Sequence, residues 1–275
     1  MNHARRIYPA LCAPWILAAA IAGSVTASHS AEQASAGKPD ANAILSQMAQ
    51  FLAAQPRFSV DVACGYDSLQ ESGKKLEFLE HRKVLLDRPK QRLRVEVEQS
   101  DGDKSVVLFD GKLITAQDLT KNVYAQVDAK PTLDESIGYF VHGLRMRFPM
   151  AALLGSALPE ELAKHVREVE YVEETSILGV PTYHVVGSTD SVDFQVWVDA
   201  GKKPLPHRIV LTYTQEEGQP QYRAQFSNWD LSPSVRDSAF EFKAPSGAGR
   251  ITFAPQLKTV AATPASAAPA QGSTR

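Results

Sequence analysis

The sequence predicts a mainly β (α+β) fold: a strongly curved antiparallel sheet forming a half-open barrel, with an N-terminal helix and a mid-chain helical insertion packed in its concave face. Three observations predict it. Stretches between residues 58 and 242 alternate apolar and polar side chains with a period of two, as half-buried strands do. Turn chemistry separates such stretches, most clearly at Asp110-Gly111, between the apolar runs Val106 to Phe109 and Leu113 to Ala116. Helical periodicity is confined to the start of the folded region and to one interruption in its middle. A large sheet curls as it twists, and helices inside the curl leave an apolar interior that is either core or pocket.

The first 31 residues read as a signal peptide. Arg5 and Arg6 form a basic start, an apolar run follows from Leu11 to Ala22, and the small residues Val25, Thr26 and Ala27 allow cleavage near Ala27 to Ala31. Pro14 interrupts the run, which is shorter than the ~20 residues of a spanning helix. Cys12 lies too early for a lipoprotein signal. The expected address is the periplasm, with nothing spanning the membrane after cleavage. Residues 32–39 are small and polar, 40–254 form the expected single domain, and 255–275 are an Ala/Pro/Ser/Thr-rich tail; linker and tail are expected to be disordered.

Within the domain, Asp40 is placed to cap a helix carrying Ile44, Leu45, Met48, Phe51 and Leu52, which Pro56 ends. Phe58, Val60, Val62, Cys64 and Tyr66 then alternate with polar or small residues, followed by Leu93, Val95 and Val97 and later by Val192, Phe194, Val196 and Val198. Further strands are expected over Asn122–Val127, Glu168–Glu173, Thr182–Ser188, His207–Tyr213, Gln221–Trp229 and Phe240–Phe242. The interruption begins with a capping box, Thr132 and Glu135, and continues with Ile137, Phe140, Val141 and Leu144 at helical spacing. An apolar piece, Pro149 to Leu154, follows, and a short helix is expected near Pro159 with Glu160 and Glu161 in its first turn.

Composition narrows the chemistry. The 29 basic and 31 acidic residues give a formal charge of −2, and loss of the leader makes the chain more acidic, so nucleic acid is not an expected partner. The exported chain keeps one cysteine, Cys64, which cannot form an internal disulfide and stands on the apolar side of its strand, where it reads as core. Motifs for a nucleophile elbow, a phosphate loop, a zinc helix or a redox pair are absent, and Gly247-Ala248-Gly249 is not followed by the third glycine of a dinucleotide loop. The histidines at 81, 142, 165, 184 and 207 are too scattered for a local metal site, and Asp101-Gly102-Asp103 reads as a plain turn. No catalytic residue, metal site or cofactor is expected, and the protein is not expected to be an enzyme. The basic cluster His81, Arg82, Lys83, Arg88, Lys90, Arg92 and Arg94, interspersed with Glu80, Glu96 and Glu98, reads as a solvated strand face. Trp197 and Trp229 fall on the polar sides of their strands and read as packing or partner contacts.

Several runs carry a resemblance. Asp87-Arg88-Pro89-Lys90-Gln91-Arg92-Leu93-Arg94-Val95-Glu96, Phe109-Asp110-Gly111-Lys112 and Asn122-Val123-Tyr124-Ala125 come in order with Phe194-Gln195-Val196-Trp197, Lys203-Pro204-Leu205-Pro206-His207-Arg208, Pro220-Gln221-Tyr222, Asn228-Trp229 and a closing Phe240-Glu241-Phe242 and Pro245-Ser246-Gly247-Ala248. Together they resemble the predicted periplasmic proteins of domain-of-unknown-function family 2092 over nearly all of the folded region. The wider pattern is similar to the periplasmic lipoprotein carriers (LolA/LolB-like half-barrels) and the regulators that share their fold. That resemblance implies an incomplete barrel closed by helices around a cavity for acyl chains. In the carriers a buried arginine is thought to gate the cavity; Arg94 alternates onto the polar side here, and that role is not transferred to it.

The leading functional expectation is therefore a non-catalytic protein that carries or senses a lipid, lipoprotein or other amphiphile. The expected groove is Val60, Val62, Tyr66, Leu93, Val95, Val97, Phe140, Val141, Leu144, Phe194, Val196, Ile209 and Leu211. The alternatives are a regulatory module with a solid core that docks an envelope protein, and a hydrolase without a recognisable motif.

Overall fold

The structure, a computed structural model, describes residues 38–256. The expected signal peptide, most of the expected linker and the expected tail after Gln256 lie outside the described residues.

Helix α1 (Ala41–Ala54) starts where the sequence places it: Asp40 accepts from the backbone amides of Asn42 and Ala43. The first meander follows, β1 (Arg57–Leu69), β2 (Lys75–Asp87), β3 (Arg92–Gln99), β4 (Lys104–Phe109), β5 (Leu113–Asp118) and β6 (Val123–Asp128). The Asp110-Gly111 turn joins β4 to β5; Gly111 has φ 89°, and the Asp110 carboxylate accepts from the amides of Lys112 and Leu113. Helix α2 (Leu133–Gly138) begins with the expected reciprocal capping box of Thr132 and Glu135. It passes into a π-helical turn, Tyr139–Gly143, and a single 3-10 turn at Ala151–Leu154 precedes α3 (Leu158–His165). The second meander is β7 (Glu168–Ile177), β8 (Val180–Ser188), β9 (Val192–Asp199), β10 (Pro206–Tyr213) and β11 (Gln221–Asp230), and β12 (Gly249–Ile251) is the last strand of the described residues.

All twelve strands form one curved, unclosed sheet of order β12-β6-β5-β4-β3-β2-β1-β11-β10-β9-β8-β7. The pairing of β1 with β11 joins the two meanders. Strand β6 lies beside one edge and β7 is the other edge, so residues 129–167 must travel from one side of the sheet to the other. Crossing through the hollow buries their apolar faces, and this topology puts the helical insertion there. Phe140 packs edge-on against Phe109 at 5.7 Å, and α1 contacts β7, β8 and β9. Arg88 ties the helices to the sheet by donating Nε to the Gln55 carbonyl and Nη1 to the Leu154 carbonyl.

Three expectations need correction. Phe240–Phe242 is not a strand: Asp237–Phe240 is a 3-10 turn, and the strand of this region is β12, which pairs parallel with β6 and breaks the otherwise antiparallel pattern. The segment instead crosses the convex face, with Phe240 buried beneath the Arg92 guanidinium at 4.4 Å and Phe242 against Tyr124. The basic cluster is not one solvated face either. Cross-strand partners share a face, and the register pairs Arg82 with Val62, so Arg82 points inward and is buried. Arg92 is also buried, between Asp87 and Asp237. Finally, β11 carries one extra residue opposite Ser59–Asp61, with Asn228 at φ 54°, and this bulge turns Trp229 inward against Phe58 and Phe226. Trp197 stays on the convex face, stacked on His184 at 4.1 Å.

Candidate functional site

The helices fill only part of the hollow. In each meander alternate turns fall at the same end, so the turns at residues 70–74, 100–103, 119–122, 189–191 and 214–220 share one end of the sheet. Towards that end the concave face is left partly open. An inner cavity of about 250 Å³ is lined by Tyr66, Val95, Val97, Ser105, Val107, Phe140 and Tyr222, with Glu80, Arg82 and Arg147 as its charged groups. A slot of about 40 Å³ lies deeper, among Phe58, Val60, Val62, Val84, Phe226 and Trp229. An outer cleft of about 760 Å³ is bounded by Asp67, Leu69, Val141, Tyr213, Glu216, Glu217 and Pro220.

One short segment separates the three. Phe148 and Pro149 line all of them, and Met146 and Arg147 line the inner cavity and the outer cleft. The segment leaves the π-helical turn, where the Tyr139 ring lies over Gly143 so closely that a Cβ there would fall 2.3 Å from a ring carbon. It is bracketed by two left-handed residues, Arg145 at φ 53° and Met150 at φ 64°. Each non-glycine residue in that region costs about 1–2 kcal/mol, which the packing of Phe148 against Phe140 and beneath Arg82 offsets.

The polar groups of the inner wall form a buried set. Arg82 is ion-paired with Glu80 at 2.6 Å. The Tyr222 hydroxyl donates to the Cys64 sulfur at 3.0 Å, and burial pushes the Tyr222 phenol and the Cys64 thiol up, so both keep their protons. Cys64 is a core group, as its strand phase implies. Arg147 differs from Arg82: it is exposed, lies over the Tyr66 ring at 4.9 Å and makes no ion pair among the described residues. No three His, Cys, Asp or Glu side chains come together to hold a metal ion among the described residues.

The thirteen groove positions do not form one surface. Tyr66, Val95, Val97 and Phe140 line the inner cavity, Val60 and Val62 the deep slot and Val141 the outer cleft. Phe194 borders a separate depression with Glu168, Glu170 and Asp193. Leu93, Leu144, Val196 and Ile209 are buried in the core, and Leu211 packs against it. Sequence reasoning missed Glu80, Arg82, Met146, Arg147, Phe148 and Tyr222. The alternation Tyr222, Ala224, Phe226 marks Tyr222 as inward-facing, whereas no local signal marks the crossing segment.

The model of the family described as "Predicted periplasmic protein (DUF2092)" matches residues 41–254. The chain belongs to this family. No curated protein matches it. Among solved structures this DUF2092 protein is similar to an uncharacterized conserved protein from Thermus thermophilus, with 10% identity, a TM-score of 0.46 and coverage of 77% of this chain and 98% of that one. It is similar to the Mycobacterium tuberculosis lipoprotein LppX at 14% identity and a TM-score of 0.45, covering 72% and 100%. A LolA superfamily protein from Nitrosomonas europaea matches at 13% identity and a TM-score of 0.39, covering 74% and 98%. Among the described residues of the DUF2092 chain, no helix is long and apolar enough to cross a membrane.

Proposed function

We propose that this protein is a periplasmic binding protein that takes the apolar part of a lipid or other amphiphile into the hollow of its half-barrel and acts without turnover. The observation that carries this reading is the set of three cavities meeting at Phe148 and Pro149. Moving that one segment joins them into a single trough lined by Val60, Val62, Val95, Val97, Val107 and Phe140. Burial of each CH₂ there contributes about 0.8 kcal/mol, so even a partly enclosed acyl chain binds.

Native mass spectrometry of protein prepared from periplasm without detergent will show a lipid or lipopeptide near one per chain, or the empty protein will take up a fluorescent fatty acid. Val107→Trp, which fills the inner cavity from a partly buried position, will weaken uptake at least about tenfold while leaving the circular dichroism spectrum unchanged. An empty protein with no uptake, or full uptake by the variant, defeats the reading.

A second reading, docking of an envelope protein, is favoured by Leu76, Phe78 and Leu79, which are exposed near the tip of the β1–β2 hairpin, Leu76 and Phe78 on the concave face and Leu79 on the convex one. A photo-crosslinking residue at position 79 will then trap one discrete partner in cells, whereas a diffuse smear argues against it.

A further inference from the structure

We propose that the inner cavity selects amphiphiles with a single negatively charged head, a carboxylate in the simplest case, held by Arg147 at the mouth beside the buried Arg82. This inference rests on the binding role proposed above and names the chemistry of its ligand.

The charges of the inner cavity are Glu80, Arg82 and Arg147. Glu80 and Arg82 neutralise each other at 2.6 Å, which leaves the wall one positive charge in excess. That charge belongs to Arg147, whose guanidinium has no hydrogen bond or ion pair among the described residues and is oriented by its stack on Tyr66. A guanidinium presents a planar fork of donors that matches a carboxylate. The hydroxyls of Tyr66 and Ser105, in the same lining, also make no hydrogen bond among the described residues and add neutral donors.

The acidic groups decide which side of Arg147 the head takes. Asp67 in the outer cleft is engaged by Arg223 at 2.9 Å, but Glu216 and Glu217, which line the same cleft, form no ion pair among the described residues, so an anion there is repelled. On the inner side Glu80 is already engaged by Arg82. With Glu80 and Arg82 neutralising each other, Arg147 alone is left to compensate the ligand, and a second negative charge would stand unpaired, which favours a monoanion over a doubly charged phosphate monoester. The apolar chain then follows Val97, Val95 and Phe140 inward.

The test is isothermal titration calorimetry of the full exported chain with three probes below their micelle concentrations: dodecanoate, dodecanol and dodecyltrimethylammonium. Dodecanoate will bind about tenfold more tightly than dodecanol and more tightly still than the cation. Arg147→Gln will weaken dodecanoate far more than dodecanol and so remove most of the dodecanoate advantage, and Arg147→Lys will restore part of it. Raising salt will shrink the advantage, because Arg147 is exposed. Equal affinity for the three heads overturns the head-group assignment and leaves the cavity as a binding site. Equal weakening of all probes by Arg147→Gln makes Arg147 a packing partner of Tyr66 and also overturns it. Binding of none of them defeats this inference and the proposed function together.

Discussion

Replacing Asp87 with alanine will destabilise the domain by about 3–5 kcal/mol, measured by urea unfolding at neutral pH. Asp87 is fully buried at the end of β2, and its two oxygens accept from Arg57 at 2.8 Å and Arg92 at 2.5 Å. Removing it leaves the buried Arg92 guanidinium with only the solvent-exposed Asp237 as its carboxylate partner. The exposed partner of the same arginine is the control: Asp237 also sits 2.8 Å from Arg92 but is open to solvent, so Asp237→Ala will cost about 1 kcal/mol or less.

The Asp87 contribution also has a definite pH dependence. Burial alone would raise the carboxyl, but hydrogen bonds and charge from Arg92 and Arg57 outweigh it and hold the group below the ordinary carboxylate range. A carboxyl depressed in the folded state stabilises above its unfolded pKa, about 3.9, and that stabilisation is lost as pH falls through the lower folded value. The gap between wild type and Asp87→Ala will therefore be widest near neutrality and will close progressively below about pH 4. A gap that does not change with pH would show that the variant acts by packing alone.

Phe240→Ala will be the second large effect, about 3 kcal/mol or more, because it empties a buried aromatic site that Arg92 covers. The consequence is local as well as global. Residues 237–248 are held on the convex face by Phe240, by Phe242 against Tyr124, by Arg94 donating to the Ala239 carbonyl and by Asn122 donating to the Ser246 carbonyl. Beneath them lie Val106 and Leu108, which are buried although they point away from the hollow. Hydrogen exchange in β4 to β6 will accelerate in the variant more than exchange in β8 to β10, and a uniform change across the sheet would refute the clamp. Because Phe240 and Asp87 both touch Arg92, their combined cost will be smaller than the sum of the single costs.

Much of this architecture is legible in the residues themselves. The Asp40 cap, the capping box at Thr132, the hairpin at Asp110-Gly111 and the inward faces of β1, β3 and β9 are local statements, fixed by which side chain follows which at a period of two or 3.6. The family too is carried by local runs of sequence, and its model covers residues 41–254. The cavity is another matter. Which residue faces Val62 across the sheet depends on register, and register brings the charged Arg82 into an apolar row. Trp229 turns inward because of one extra residue in β11 opposite β1, more than 160 positions away in the chain. Met146 to Pro149 reach the hollow because β6 and β7 lie towards opposite edges and the chain between them must cross. The sequence by itself determined most of the elements, the buried faces of the regularly alternating strands and the kind of fold, since those follow from neighbours along the chain. Only the tertiary structure decided where the interior is core and where it is open, because that depends on pairing and crossing between segments whose encounter no local pattern encodes.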